Sequence, residues 1–294
     1  MKNFDIKRCT LCPRECMADR TISSGFCGEG DMMRISKIML HRWEEPCISG
    51  CAPERGSGAI FFSGCSLHCS YCQNKAISGG GKGELYTPAA LAEKLRELEG
   101  MGAYNINFVT PTHFIPMIKE ALDVYRPKIP TVFNTSGYEK EEAVLSLLGY
   151  ADIFLADMKY GFSDSASKYS SAPDYPAVAL KAIKRMVEVT GSPLFDSDGM
   201  MKKGVILRHL VLPGGRKDSV AALESLRDTV GTEGVILSLM SQYTPDFYTG
   251  EYRELRRRTT TFEYEYVRDR ALEMGFSGFG QDRNSAVSSY TPEF

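Results

Sequence analysis

The sequence predicts an α/β protein: a partial (β/α)6 barrel of the TIM type behind a small N-terminal cysteine-rich, metal-binding segment. Three observations predict it. Six short apolar runs alternate with amphipathic stretches. The runs show little polar alternation, as parallel strands covered on both faces do. All nine cysteines lie at or before Cys72. A chain of 294 residues has room for one large domain or two smaller ones, and for a sizeable core.

The first element, residues 1–55, carries Cys9-x2-Cys12-x3-Cys16-x10-Cys27, with Gly25 and Gly28 placed for tight turns. It has too little apolar content to fold alone, so a metal staple is expected. Thiolates at such spacings suit zinc or an iron–sulfur cluster, and both stay open. Cys47 and Cys51 are left over and read as small buried hydrophobes. The boundary falls in the Pro/Gly/Ser-rich stretch Pro53–Gly58, and the barrel occupies 56–294.

The predicted strands are Ala59–Phe62, Ile106–Val109, Thr131–Asn134, Ile153–Ala156, Val205–Leu212 and Val235–Leu239. Between them, Thr87 caps a helix with Pro88 at its first position, Leu91, Leu95 and Leu98 on one face, and Gly100 as the stop. A second helix runs from about Asp218 to Gly231, with Val220, Leu223 and Val230 inward; others cover Pro116–Tyr125, Glu141–Leu148, Pro176–Val189 and Thr261–Met274. Repeated strand–helix units imply a parallel sheet with right-handed crossovers. No internal repeat or low-complexity segment interrupts them.

Charge excludes several function classes. Thirty-five Lys and Arg stand against 37 Asp and Glu, which gives no electrostatic case for nucleic acid or an anionic membrane as partner. The N-terminus lacks the apolar stretch of a signal peptide and no run reaches the length of a membrane span, so a soluble, cytoplasmic protein is expected. In reducing cytosol dense thiols read as metal ligands rather than disulfides.

Directly after the first barrel strand comes Gly64-Cys65-Ser-Leu-His-Cys69-Ser-Tyr-Cys72, a C-x3-C-x2-C loop. Three close thiolates suit iron–sulfur or zinc. A [4Fe–4S] cluster normally takes four Cys, so three leave one iron open to substrate. The competing reading is a zinc knuckle completed by His68 or Cys51. In α/β barrels the loops after strands build the active face, which is where this loop lies.

The loop, with an aromatic before its third Cys, and the strand–helix series resemble the radical S-adenosylmethionine (SAM) superfamily. More narrowly, the chain resembles the cytosolic homologues of pyruvate formate-lyase activating enzyme. The blocks that carry the likeness are Cys9–Cys16, Glu45–Gly50, Ser57–Cys65, Asn105–His113, Asn134–Tyr138, Asp157–Tyr160, Arg208–Gly214 and Leu239–Pro245.

The resemblance implies that Cys65, Cys69 and Cys72 hold a [4Fe–4S] cluster whose fourth iron is chelated by SAM. Reductive cleavage of SAM then gives methionine and a 5′-deoxyadenosyl radical. It further implies Tyr71 near the adenine, and Asn134, Thr135 and Ser136 near the ribose and carboxylate. Asp157 and Lys159 would stand near the SAM carboxylate, and Arg208 would face SAM from within the barrel. Where the activating enzymes carry Gly-Gly-Glu for the SAM amino group, this chain reads Thr110-Pro111-Thr112. Backbone carbonyls or threonine hydroxyls must then accept those bonds.

The implied partners are a protein or peptide substrate, with a glycyl radical enzyme as the best single case, and a flavodoxin- or ferredoxin-type electron donor. A six-unit barrel leaves a lateral opening that suits a polypeptide loop better than a small molecule. The rival from another class is a thiol-rich electron-transfer protein without SAM chemistry, which needs a fourth ligand where the catalytic reading forbids one. His41 reads as a packed surface histidine and Arg256–Arg258 as a solvated helix face. His113 is a candidate to face substrate.

Overall fold

The computed structural model describes residues 5–280. The last part of the expected barrel segment, 281–294, lies outside the described residues. Ten strands occur: β1 (Met33–His41), β2 (Ser57–Phe62), β3 (Glu84–Tyr86), β4 (Ile106–Val109), β5 (Thr131–Thr135), β6 (Ile153–Asp157), β7 (Leu194–Phe195), β8 (Met201–Leu210), β9 (Ile236–Met240) and β10 (Gly278–Gly280). The sheet order is β10-β9-β8-β6-β5-β4-β2-β1-β3, with β7 paired to β8. From β2 to β10 the neighbours on this path run parallel. Strand β1 lies antiparallel to both β2 and β3.

The six central parallel strands are the six apolar runs of the sequence. They alternate with helices that include Pro88–Gly100, Ile115–Val124, Glu141–Leu145, Tyr175–Thr190 and Arg216–Val230. The Thr87 hydroxyl accepts from the Ala90 N–H at 3.2 Å and caps the first of these, while Leu91, Leu95 and Leu98 are buried. Gly231, at φ +74°, ends the Arg216–Val230 helix. Outward residues such as Phe62, Phe108, Phe133, Phe154 and Leu207 pack under the helices in one continuous core.

The inward face differs. Val132, Ile153, Leu155 and Ile206 form a second apolar layer with Cys47 and Ile48. The short Pro46–Ser49 helix therefore plugs the sheet from the N-terminal ends of the parallel strands. Asn105 locks the plug, donating to the Ile48 carbonyl at 2.7 Å and accepting from Ser57 Oγ at 2.6 Å. Above it, residues from β2 and β9, on opposite sides of the parallel set, line one cavity. The sheet thus wraps around that cavity as a partial barrel, and β2 and β9 do not pair with each other. Among the described residues, no helix is long and apolar enough to cross a membrane.

Gly137, just past β5, has φ +76°, and a Cβ there would stand 2.2 Å from the Asp157 carbonyl oxygen. Gly137→Ala is expected to lower stability by at least ~1–2 kcal/mol, the cost of a left-handed L-residue alone. Denaturant unfolding checks this, and an unchanged midpoint contradicts it.

Candidate active site

The thiol loop begins where β2 ends. Gly64 turns it at φ +85°, where a Cβ would lie 2.5 Å from the Cys27 carbonyl oxygen, so only glycine fits. Several bonds then fix the loop. The Cys65 N–H donates to the Cys27 carbonyl at 3.1 Å, and the Ser70 N–H to the Tyr169 carbonyl at 2.8 Å. Arg14 Nε donates to the Ser66 carbonyl at 2.8 Å, and the Leu67 N–H to Cys65 Sγ at 3.3 Å. His68 Nε2 stands 2.9 Å from the Phe26 carbonyl oxygen, which gives its ring a partner within the fold. Ser170 Oγ donates to Cys69 Sγ at 3.1 Å.

Cys65, Cys69 and Cys72 all line a cavity of about 240 Å³. Burial pushes the Cys72 thiol up to about 12, and the neighbouring thiols add to it while Lys159 opposes. Cys65 is raised by the same burial and by Cys69. Buried together, Cys65 and Cys72 resist ionising on their own and need a cationic partner to become thiolates.

The opposite wall is built at the C-terminal ends of β5, β6 and β8. Asn134, Thr135, Ser136, Asp157, Lys159 and Arg208 reach the cavity, and so does Thr110 from the end of β4. Lys159 Nζ lies 2.6 Å from Asp157 Oδ2, and Arg208 Nε lies 3.1 Å from Asp157 Oδ1. Burial alone would raise the Asp157 carboxyl; the two cations outweigh it and hold the group below its usual range. Lys159 is raised despite burial, by Asp157 and by the thiols of Cys69 and Cys72.

Arg208 also reaches a residue that sequence reasoning did not single out. Its Nη1 lies 3.1 Å from Glu44 Oε2, while Asn107 and Asn134 donate to Glu44 Oε1 at 3.1 and 3.3 Å. Glu44 follows β1 and stands on the cavity floor. Burial raises its carboxyl, with Arg208 opposing. One guanidinium therefore serves Glu44 and Asp157 directly and feels Glu45 as well. Two successive acids ahead of Pro46 were the available signal, and nothing local distinguished them from a solvated helix start.

Other expectations resolve as follows. Tyr71 is buried, lines the cavity and meets Tyr160, Tyr169 and Tyr243 edge-on. Of Thr110-Pro111-Thr112, Thr110 alone lines the cavity, at a left-handed φ of +60°. Thr112 Oγ1 donates instead to Glu139 at 2.7 Å, whose carboxyl burial pushes up to about 8. His113 is buried with Nε2 2.6 Å from the Ser63 carbonyl oxygen, so it braces the thiol loop instead of facing the cavity. His41 is not a surface residue. It is 7% exposed and lines the cavity, because β1 packs as an inner-sheet strand; burial and Arg208 lower its pKa to about 4.

None of the nine cysteines forms a disulfide. Cys47 is buried as expected, whereas Cys51 is exposed. Cys9, Cys12 and Cys27 are buried and Cys16 half-buried, beneath the thiol loop. Arg256–Arg258 is exposed as expected, but Arg257 pairs with Glu263 at 2.7 Å. Among the described residues, no three His, Cys, Asp or Glu side chains converge as the ligands of a single ion do. A [4Fe–4S] cluster asks for a wider spacing, because its thiolates each bind a different iron. Three thiols facing one cavity, with Lys159 beside them, fit such a cluster. The polar wall opposite fits a zwitterionic ligand.

Comparison with known proteins agrees with this chemistry. Residues 59–214 match the radical SAM superfamily. A protein of Methanocaldococcus jannaschii, itself described as uncharacterized, is 29% identical over 279 residues, which span 91% of this chain and 74% of that protein. The crystal structure of a radical SAM methyltransferase from Sphaerobacter thermophilus aligns with a TM-score of 0.52 at 13% identity, over 78% of this chain and 67% of its own. At that identity the likeness concerns the fold.

The shared arginine generates a prediction. Arg208→Met leaves Glu44 buried without its cation, while Asp157 keeps Lys159, and should cost ~3–5 kcal/mol at neutral pH. In the variant the folded Glu44 carboxyl, raised by burial with its opposing cation gone, holds its proton to higher pH than the unfolded one, so stability must fall as pH rises. The deficit is thus smaller at about pH 5.5 than at about pH 7.5. Denaturant unfolding at the two values checks it; a pH-independent deficit contradicts the shared-cation reading.

Proposed function

The chain belongs to the radical SAM superfamily, and from that premise we propose that it abstracts a hydrogen atom from a polypeptide, with activation of a glycyl radical enzyme as the specific reaction. The observation that carries the proposal is the donor set of the cavity: among its described lining residues are three thiols and no fourth. Cys65, Cys69 and Cys72 would hold three irons of a [4Fe–4S] cluster, leaving the fourth for SAM. When bound, cluster and SAM supply one-electron cleavage of the sulfonium, giving methionine and a 5′-deoxyadenosyl radical.

The chain's own residues have separate tasks. Lys159, oriented by Asp157, places a cation beside Cys69 and Cys72 and offsets the charge of their thiolates. Asn134 and Ser136, at the end of β5, would offer polar groups to a ribose or carboxylate, and Thr110, which lines the same cavity, would offer acceptors to the SAM amino group. Tyr71 and its ring of tyrosines close the apolar side and keep water from a reactive species.

The polypeptide assignment rests on access. Trp43 and His41 from the β1 side, and Met240 and Gln242 from the β9 side, flank the cavity where the two ends of the sheet do not pair with each other. Trp43 is 58% exposed there and presents a flat aromatic to an incoming chain. A flavodoxin- or ferredoxin-type protein is the proposed electron donor. The narrower likeness to pyruvate formate-lyase activating enzyme homologues supports the glycyl radical assignment.

Two outcomes test this. Cys69→Ala should reduce reductive SAM cleavage to background, as should Cys65→Ala and Cys72→Ala, since each thiolate holds its own iron. Anaerobic incubation with SAM, reductant and a glycyl radical enzyme from the same cell should give the glycyl doublet in electron paramagnetic resonance. Deoxyadenosine formed without a radical on any such partner would redirect the assignment to another peptide modification.

A further inference from the structure

We propose that Cys9, Cys12, Cys16 and Cys27 form a second metal site, of the tetrahedral thiolate class that takes zinc or iron(II), and that this ion sets the position of the loop carrying Cys65, Cys69 and Cys72. The first half stands independently of the radical SAM reading; the second half rests on it for the role of the loop.

The geometry brings two of the four thiols to one point. A Cβ built on Gly25 would lie 3.4 Å from Cys27 Sγ and 3.5 Å from Cys16 Sγ, so these two sulfurs flank one point. Cys9 and Cys16 are near neighbours. Cys12 lies within charge-interaction range of both Cys9 and Cys27. The backbone between them is looped to present them: the Cys9 N–H donates to the Ala18 carbonyl, and the Met17 N–H to the Cys9 carbonyl, both at 3.0 Å. No three of these side chains converge on one centre, so an ion would draw the sulfurs inward as it binds.

This segment has little else to hold it. The first strand or helix of the described residues begins at Met33, so residues 9–30 are irregular backbone around four thiols. Irregular chain of that length lacks the core to repay its ordering entropy, and metal binding energy supplies what the core does not.

The segment is bolted to the thiol loop above it. The Cys27 carbonyl accepts the Cys65 N–H at 3.1 Å, and the next residue back, Phe26, meets the His68 ring through its carbonyl at 2.9 Å. Arg14, two residues from Cys12, donates to the Ser66, Ser170 and Ser171 carbonyls at 2.8, 2.8 and 2.6 Å. Gly64 has no space for a side chain against Cys27. A shift of Cys27 by the loss of its ion must therefore move the backbone of Cys65.

The test uses the full chain prepared anaerobically, and its readouts are metal content and spectra without SAM, so they do not depend on whether the protein cleaves SAM. The combined Cys65→Ala, Cys69→Ala and Cys72→Ala variant should retain about one zinc or iron per chain, and should lose it on further Cys12→Ser substitution. Cobalt(II) replacing that ion should show thiolate-to-metal charge transfer. A folded triple variant with no ion and no cobalt uptake overturns the site. In the otherwise native chain, Cys12→Ser should lower the iron and sulfide incorporated on reconstitution; full loading overturns the coupling. If Cys12→Ser does not fold, Arg14→Ala decides. It keeps every thiol, and should weaken cluster loading by ~10-fold, the order that ligand-orienting partners contribute, whereas unchanged loading overturns the coupling.

Discussion

One guanidinium holds the interior of this protein together. Arg208 stands inside β8 and reaches Asp157 on β6 and Glu44 on the floor. Asn134 on β5 donates to the same Glu44 carboxylate. A partial barrel whose last strands do not pair has no closed hydrogen-bonded ring to fix its curvature. Here the interior charge network crosses from strand to strand and does part of that work. Its charges are costly to bury singly and tolerable only as a set. The same set orients Lys159, through Asp157, toward the thiols, so the constraint that shapes the barrel also prepares the cavity.

The thiol loop is positioned from the other direction. It leaves β2 through a turn that only Gly64 can make, and is then fastened from outside by Cys27, Phe26 and Arg14. The N-terminal segment and the barrel thus meet at the loop that matters for chemistry. Buried His113 adds a third brace through the Ser63 carbonyl. Three thiols held on a rigid frame in one cavity suit a cluster that must keep one iron exposed to a ligand and none to water.

The central strands were legible because parallel strands buried on both faces leave nearly unbroken apolar runs, as in Ile153–Asp157 and Ile206–Leu210. The helices were legible from caps and stops such as Thr87 and Gly231. Strand β1 was not. Its sequence, Met33–His41, mixes Arg, Ser and Lys with apolar residues, and its pairing with β2 is a tertiary contact that no local pattern announces. His41 and Glu44 were misjudged or missed for that reason: their roles follow from where β1 ends. The thiol loop was read by spacing, and Asn134, Asp157, Lys159 and Arg208 by resemblance; the structure places them all on one cavity. Pro111 and Thr112 read identically to Thr110 in sequence, but the left-handed turn at Thr110 sends the chain away, and Thr112 satisfies Glu139 instead.

The central claim is that three thiolates leave one iron for SAM. The most direct measurement is electron paramagnetic resonance of the reduced, reconstituted protein with and without SAM, using SAM labelled with nitrogen-15 at its amino group and oxygen-17 at its carboxylate. The account predicts a changed cluster spectrum on adding SAM, with hyperfine coupling to both labels. A cluster spectrum indifferent to SAM, with no coupling to either label, would contradict it.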